Sequence, residues 1–375
     1  MRRGLTLPAP LAQFPWGMFL ALTALVLFGA AVLHSAAGGS MTPYASSHLL
    51  RFGVFVTMAL IMRFFPRDWA FMAAFPVYGA TLVLLFGVEI LAAVKGGSQR
   101  WLEVGPIRIQ PSELMKPGIV LALAAYFHSL PPGMIRSWQA LVPPAVLMVL
   151  PMALVLLQPD LGTTLAIAFG GAVVLFLAGL PGKWFAGAGI AAAIAAPLAY
   201  FFALQEYQQR RVTTFMDPES DPLGAGYHIT QSKIAIGSGG IFGKGFGEGS
   251  QSHLDYLPEP HTDFVFATMA EEWGLLGGLL VLLVFGIVLR WGTNVATRAN
   301  DRFARLLAGG MVATIFFYAA VNLMMVMGLA PVVGIPLPFM SHGGSSMMTN
   351  MICIGTLLMV DRWTRQTGRS GLDLG

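Results

Sequence analysis

The feature that most restricts how this chain folds is a series of apolar segments, each long enough to cross a hydrocarbon core of about 30 Å. Ten such segments occupy residues 15–37, 47–65, 69–94, 112–129, 140–157, 162–180, 183–204, 263–290, 303–328 and 343–361. The mean hydropathy is +0.70 and only 11% of the 375 residues are charged, which excludes an ordinary soluble domain. Because backbone groups in lipid must be hydrogen-bonded within their own segment, we predict an all-α polytopic membrane protein with about ten transmembrane helices.

One long polar block interrupts this series. Residues 205–262 separate the seventh apolar segment from the eighth, so we interpret the chain as a single membrane domain, 1–375, that carries one large loop. Most of the basic residues fall on the side of the predicted membrane opposite this loop, above all in the loop at 291–302 and in the C-terminal tail. By the positive-inside rule both termini are cytoplasmic and the large loop is extracytoplasmic.

Charge and cysteine content exclude several classes of function. The net charge is +4, but the basic residues are scattered at the ends of predicted helices instead of forming a stripe, so nucleic acid is not an expected partner. Cys353 is the only cysteine of the chain, which excludes a disulfide framework and any zinc or redox site that needs a cysteine pair.

A glycine-rich run at residues 237–249 lies inside the large loop and contains Gly243-Lys244. The phosphate-loop pattern requires glycine where Ser238 stands and serine or threonine where Gly245 stands, so the run is not a nucleotide-binding motif. Two interpretations remain from the residues alone. The glycines bring backbone N–H groups close to an anion or a lipid head group, or they form a flexible loop.

Several ionisable residues fall within the apolar segments, where a charge costs about 2.5–3.5 kcal/mol unless it is paired or hydrated. Glu113 and Lys116 lie three positions apart and therefore share one helix face. They form either a self-neutralising ion pair that holds the bundle together, or a site in which Glu113 holds Lys116 towards an anionic substrate. Asp160 precedes an apolar helix, and we favour a helix cap for it.

Asp263 ends the polar block at the start of the eighth apolar segment. Its position alone is equally consistent with a helix cap and with a functional carboxylate at the membrane boundary. Glu271 and Glu272 follow about 12–14 Å deeper on the same helix and have no obvious cationic partner in the sequence. They are expected to be protonated or hydrogen-bonded in a polar interior.

Four stretches of the large loop, at residues 217–228, 231–240, 249–251 and 257–264, resemble the large extracellular loop of the SEDS family. The likeness is to the RodA-type elongation branch of that family more than to the FtsW-type division branch. Further family-like motifs follow in the expected order over almost the whole chain. They are Arg100-Trp101, Gln110-Pro111-Ser112-Glu113, the stretch 158–163, the stretch 336–339 and the stretch 341–345.

The resemblance implies a peptidoglycan glycosyltransferase that polymerises lipid II at the outer face of the bacterial cytoplasmic membrane during elongation. It implies a class B penicillin-binding protein and other elongation-complex proteins as partners, besides membrane lipid. The essential loop aspartate of the family corresponds to Asp263, which would act as the general base. The candidate substrate-binding residues are Lys116, Glu113, Arg100, Asp160, Arg211 and Lys244. The resemblance implies no certain cofactor, and it is compatible with the use of a divalent cation.

Two other functions use the same features. A lipid II flippase would need polar groups through the whole membrane thickness, for which Glu113, Lys116, Glu271 and Glu272 are candidates. A non-catalytic scaffold of the cell-wall synthase would need only surface positions. The polar residues cluster towards the predicted outer side, which favours the polymerase over the flippase.

Overall fold

The protein is described by a computed structural model that covers residues 13–95, 100–104, 107–131, 133–202, 206–217, 225–254, 256–257 and 259–370. Within these residues, a long helix coincides with each of the ten apolar segments. In chain order the ten helices are α1 (Trp16–Ala36), α2 (Tyr44–Met62), α3 (Arg67–Lys95), α4 (Pro111–Ser129), α5 (Val142–Leu157), α6 (Leu161–Leu177), α7 (Gly182–Phe202), α11 (Val265–Arg298), α12 (Arg302–Val326) and α13 (Gly344–Ser370).

The helical membrane fold is confirmed, whereas the number of spans is settled for only part of the bundle. By length and hydropathy, seven helices of the described chain can cross a membrane: α1, α2, α3, α5, α7, α11 and α12. Helix α6 is apolar but shorter than a standard span. Helices α4 and α13 contain more polar residues, and some of these line the cavity described below. Ten spans therefore stays a prediction.

Helix α4 lies at the centre of the bundle, in contact with α3, α5, α6, α12 and α13. Its interior position explains why it tolerates two ionisable residues, since a buried pair can neutralise itself away from lipid. Helix α7 is the opposite case, because nearly all of its described side chains are exposed. A helix that is apolar all round and unpacked faces lipid in a membrane protein.

A short β-hairpin is the one departure from the all-α prediction in the described chain. Strands β1 (Leu102–Val104) and β2 (Ile107–Ile109) pair antiparallel immediately before α4. Alternating apolar residues around a two-residue connection allow this ribbon, which is too short to produce a sequence signal above the surrounding helices. The hairpin lies between Arg100 and Gln110, two residues of the cavity.

The large loop is folded where it is described. It contains α8 (Glu206–Met216), α9 (Ala225–Ser238) and the single turn α10 (Ser250–His253), while residues 218–224 of the family-like stretch lie outside the described chain. Helix α9 packs on α11 and α12, and the buried Ser232 hydroxyl donates to the Val326 carbonyl at 2.7 Å. The loop is therefore anchored to the bundle along its second half.

The glycine-rich run has a use that neither sequence interpretation included. Helix α11 is interrupted at Gly274, where φ is +62° and ψ is −157°. The interruption frees backbone groups that pair with the run: Lys244 N–H donates to Glu271 O at 3.0 Å and Leu275 N–H donates to Gly240 O at 2.9 Å. A Cβ at Gly243 would lie only 2.0 Å from the Glu272 carbonyl oxygen, so glycine is required for this close approach.

Candidate active site

A cavity of about 710 Å³ opens at one end of the bundle, where four helices begin. The cavity is lined by residues at or near the first turns of α4, α6, α11 and α13 and by the segment 333–336, and these include Gln110, Asp160, Asp263, Gly334 and Ser345. Helix N-termini carry unpaired N–H groups and a partial positive charge. Four of them around one cavity favour a bound anion.

Asp263 lies in this cavity as a carboxylate without a described partner. Helix α11 begins at Val265 and its N-cap is Phe264, with no side-chain cap hydrogen bond, so Asp263 does not cap the helix. Its half-buried carboxylate lies against the backbone of Gly334, where a Cβ would be 3.5 Å from Asp263 Oδ2. Burial, and secondly the charge of Glu259, raises the pKa of Asp263 to about 6.

Glu113 and Lys116 form the ion pair that their spacing predicts, and Tyr318 from α12 joins it. Lys116 Nζ lies 2.6 Å from Glu113 Oε1 and 2.5 Å from the Tyr318 hydroxyl oxygen, and the Tyr318 hydroxyl donates to Glu113 Oε2. The side chain of Lys116 is 1% exposed and that of Glu113 is 8% exposed. Because all three residues also line the cavity, the pair is both a structural contact of the bundle and part of the cavity floor.

Asp160 and Arg100 lie on another wall. Asp160 caps α6, as its position suggests, because its Oδ1 accepts from Thr163 N–H at 3.0 Å. Its Oδ2 accepts from Gln110 Nε2 at 3.2 Å. Arg100 donates to the carbonyls of Gln158 and Pro159 at 2.8 and 2.7 Å, with no carboxylate partner in the described chain. These bonds fix the Arg100 guanidinium at the cavity, where no described carboxylate forms an ion pair with it.

Sequence reasoning did not identify Arg51, and it noted His342 only as part of the motif at 341–345; the two side chains meet in the lining of the cavity. Arg51 Nη1 lies 3.0 Å from His342 Nε2, and the Ser47 hydroxyl oxygen lies 2.8 Å from the same nitrogen. Burial, together with Arg51 and two neighbouring histidines, lowers the pKa of His342 to about 4, so the ring is neutral and its Nε2 accepts from Arg51. Arg51 is a single basic residue in an apolar helix, and its distance from the motifs left no signal linking it to them.

Lys244, one of the predicted site residues, is not part of the cavity lining. Lys244 pairs with Glu271 at 2.6 Å, and Glu271 also accepts from Ser250 Oγ at 3.1 Å, so the structure supplies a cation that the sequence did not reveal. The side chain of Arg211, in α8, lies outside the described residues. The roles predicted for Lys244 and Arg211 therefore gain no geometric support.

Carboxylates of the cavity are too dispersed to form a metal cage of protein ligands. Within the described residues no group of three histidine, cysteine, aspartate or glutamate side chains could hold an ion. A magnesium ion that arrives with a pyrophosphate needs only one or two carboxylates. Asp263, Asp160 and Glu259 line the cavity and could supply them, whereas Glu113 is already held by Lys116 and Tyr318.

Comparison with known proteins gives consistent matches over nearly the whole chain. The family model for the cell cycle proteins FtsW, RodA and SpoVE matches residues 12–366. Peptidoglycan glycosyltransferase MrdB of Escherichia coli K12 is 41% identical over 358 residues, which cover 94% of this chain and 95% of that protein. Stage V sporulation protein E of Bacillus subtilis is 37% identical over 287 residues and covers 76% of each chain.

Solved structures resemble the fold as well as the sequence. A chain of a peptidoglycan synthase complex, solved to explain how polymerization and crosslinking are coordinated, matches with a TM-score of 0.80 and 33% identity over 94% of this chain and 99% of that one. The rod shape determining protein RodA of Thermus thermophilus matches with a TM-score of 0.69 and 31% identity, covering 93% and 97%.

Proposed function

Since this chain belongs to the SEDS family of FtsW, RodA and SpoVE proteins, we propose that it is a peptidoglycan glycosyltransferase that polymerises lipid II, with Asp263 as general base. The observation that carries the proposal is the position of Asp263. Its carboxylate lies in the cavity, without a described hydrogen-bonding partner, at the point where four helices begin.

The chemistry requires a base at one atom of the acceptor sugar. The 4-hydroxyl of the acceptor loses its proton to Asp263 as its oxygen attacks the anomeric carbon of the donor. The bond between that carbon and the pyrophosphate oxygen breaks, so the configuration inverts and the lipid pyrophosphate leaves with the bonding electrons. A carboxylate with a pKa of about 6 is ionised at neutral pH and is a stronger base than an ordinary aspartate.

The leaving pyrophosphate needs positive charge close to it. Arg51 and Arg100 line the cavity, and neither has a carboxylate partner in the described chain. The N-termini of α4, α6, α11 and α13 add partial positive charge at the same place. Lys116 already shares its charge with Glu113, so we assign the pyrophosphate first to the two arginines and the helix ends.

The location of basic residues supports an outward-facing cavity. Helix α11 runs for 34 residues from the cavity to Arg298, and the opposite end of the bundle carries Arg67, Arg302 and Arg365. The positive-inside rule favours a cytoplasmic location for this basic end. We therefore propose that both termini are inside and that the cavity opens at the outer face of the cytoplasmic membrane.

We further propose that the protein acts in elongation with a class B penicillin-binding protein. Support comes from the likeness to RodA of Thermus thermophilus and to a chain of a complex in which polymerization and crosslinking are coordinated.

Asp263→Asn tests the proposal. The purified protein, with and without its penicillin-binding protein partner, receives labelled lipid II in detergent, where no sidedness exists. Loss of the base is expected to lower the rate of strand formation by roughly 10²- to 10⁴-fold. Asp68→Asn is the matched control, because Asp68 is exposed and lies at the basic end of the bundle.

Three outcomes separate the candidate functions. Strands from the wild type and from Asp68→Asn, but not from Asp263→Asn, support the polymerase. Equal product from all three proteins removes Asp263 as the base. Absence of product from the wild type, combined with movement of lipid II across reconstituted vesicles, would identify a flippase instead.

A further inference from the structure

Three successive carbonyls lead into Asp263, and each accepts a hydrogen bond from a residue beyond α11. The three bonds are Asn322 Nδ2 to Asp263 O at 2.8 Å, Ser341 Oγ to Thr262 O at 2.6 Å, and His342 N to His261 O at 2.9 Å. We call this set of three hydrogen bonds the carbonyl clamp. It holds the chain immediately before the helix, where the helix itself provides no acceptors or donors for these residues.

Asn322 is the central member of the carbonyl clamp. It lies on α12, is 0% exposed, and donates from Nδ2 to both Asp263 O and Ile335 O, the second at 2.7 Å. The amide group therefore uses both of its hydrogens. Its Oδ1 is buried without a hydrogen-bonding partner in the described chain, which costs stability. An asparagine with this unsatisfied oxygen is best explained by the need for its two donors.

Ser341 makes the second connection. Its hydroxyl donates to Thr262 O and accepts from Leu337 N–H at 2.8 Å, and the residue is 3% exposed. It thereby closes the turn that follows the segment 333–336, whose Gly334 lies against the Asp263 carboxylate. This turn explains the sequence motifs at 336–339 and 341–345, because both motifs belong to the segment that holds the residues before α11.

The carboxylate of Asp263 has no described side-chain partner of its own. Its position in the cavity is therefore set by its backbone, and the backbone is held by the carbonyl clamp. A displacement of about 1 Å in a reacting group is enough to cost about 10²-fold in rate. The residues that hold these carbonyls are consequently expected to control catalysis without touching the substrate.

We propose that Asn322 and Ser341 are positioning residues that set the location and hydration of the Asp263 carboxylate. This inference rests on the proposed function, because it concerns the base of the same reaction. It extends the site to two buried residues on elements that do not carry the base, α12 and the segment before α13.

The test compares Asn322→Leu, Ser341→Ala and the double variant with the wild type in the lipid II assay. Each single variant is expected to lower kcat by roughly 10²-fold with KM unchanged. The acid limb of the pH profile is expected to shift to lower pH, because a released carboxylate becomes better hydrated. The double variant should lose less than the product of the single losses, since both residues hold the same segment.

Thr314→Val is the matched control. Thr314 is buried on the same helix as Asn322, but in the described part of the chain its hydroxyl bonds only to Gly310 O of its own helix, at 2.9 Å. This variant should keep the kcat and the acid limb of the wild type. Thermal melting in detergent shows whether each variant is folded, and Ser341→Ala decides the test if Asn322→Leu does not fold.

Several results would overturn the inference. They are an unchanged kcat, a raised KM alone, a lower kcat with an unmoved acid limb, and failure of both single variants to fold. The wild type and Asp263→Asn are measured first. If the wild type makes strands and Asp263→Asn does not, the proposed function stands. Any of the four results above then refutes only the carbonyl clamp as a positioning device.

Discussion

Lowering the pH from 7 to 5 should reduce the rate of polymerisation about tenfold. The reacting form of a general base is the ionised one, and burial with the charge of Glu259 raises the pKa of Asp263 to about 6. About nine tenths of the carboxylate is ionised at pH 7, and about one tenth at pH 5. An aspartate at the ordinary pKa of 3.8 would remain almost fully ionised at pH 5 and would show no loss.

His342, which lines the cavity, does not produce the same fall in rate. Burial lowers the pKa of His342 to about 4, so its ring is already neutral above pH 6. Burial also lowers the pKa of the neighbouring His261 below its usual value. The measurement is kcat for labelled lipid II at saturating substrate between pH 4.5 and 8, with thermal melting at each pH as a control for unfolding. A plot of kcat against pH is expected to show a single fall on the acid side, with its midpoint near pH 6.

Glu259→Gln provides the matched perturbation. The variant removes the second cause of the raised pKa, a nearby like charge, while burial remains. The acid limb should therefore shift to lower pH without disappearing. A flat profile from pH 7 to pH 5 in the wild type would refute the assignment of Asp263 as a base in a desolvated site. A limb that Glu259→Gln leaves in place would refute the electrostatic explanation.

Three further variants test the surroundings of the site. Lys116→Met should reduce the free energy of unfolding by about 3–5 kcal/mol, because it leaves the buried Glu113 carboxylate without its cation. The melting temperature in detergent should fall accordingly, and a value equal to that of the wild type would contradict the buried pair. Gly243→Ala should destabilise the protein by about 3 kcal/mol, because its Cβ would meet a backbone carbonyl at 2.0 Å. Gly237→Ala, a helical position in open space, is its control and should be neutral or stabilising by up to about 1 kcal/mol, as SDS titration can measure. Arg51→Ala should lower kcat/KM by roughly 10- to 100-fold through loss of a charged hydrogen bond to the pyrophosphate, and an unchanged value would exclude Arg51 from that role.

The buried glutamates bear on the rival transport function. Glu271 is paired with Lys244, and Glu272 accepts from the Ser35 hydroxyl. Neither glutamate lines the cavity, and each is at most 1% exposed. A head-group path would need polar groups that a substrate can reach. Glu271 instead holds the large loop to α11, and Glu272 connects α11 to α1.

The sequence alone determined the helices, because the length and hydropathy of each segment are local properties that lipid enforces. It also located Asp263, Glu113, Lys116, Asp160 and Arg100, through spacing and family-like motifs. The cap at Asp160 and the ion pair between Glu113 and Lys116 were predictable since their partners lie within four residues. The β-hairpin was missed because three-residue strands leave too weak a pattern.

Only the tertiary structure decided which of these residues share a cavity. Arg51 reaches His342 across 291 positions, and Asn322 reaches Asp263 across 59, so no local periodicity could reveal either contact. Lys244 is the converse case, since a lysine in a glycine-rich loop looked available for substrate but is paired with a buried glutamate. Packing between distant helices determines which charges remain uncompensated, and those charges determine the chemistry of the site.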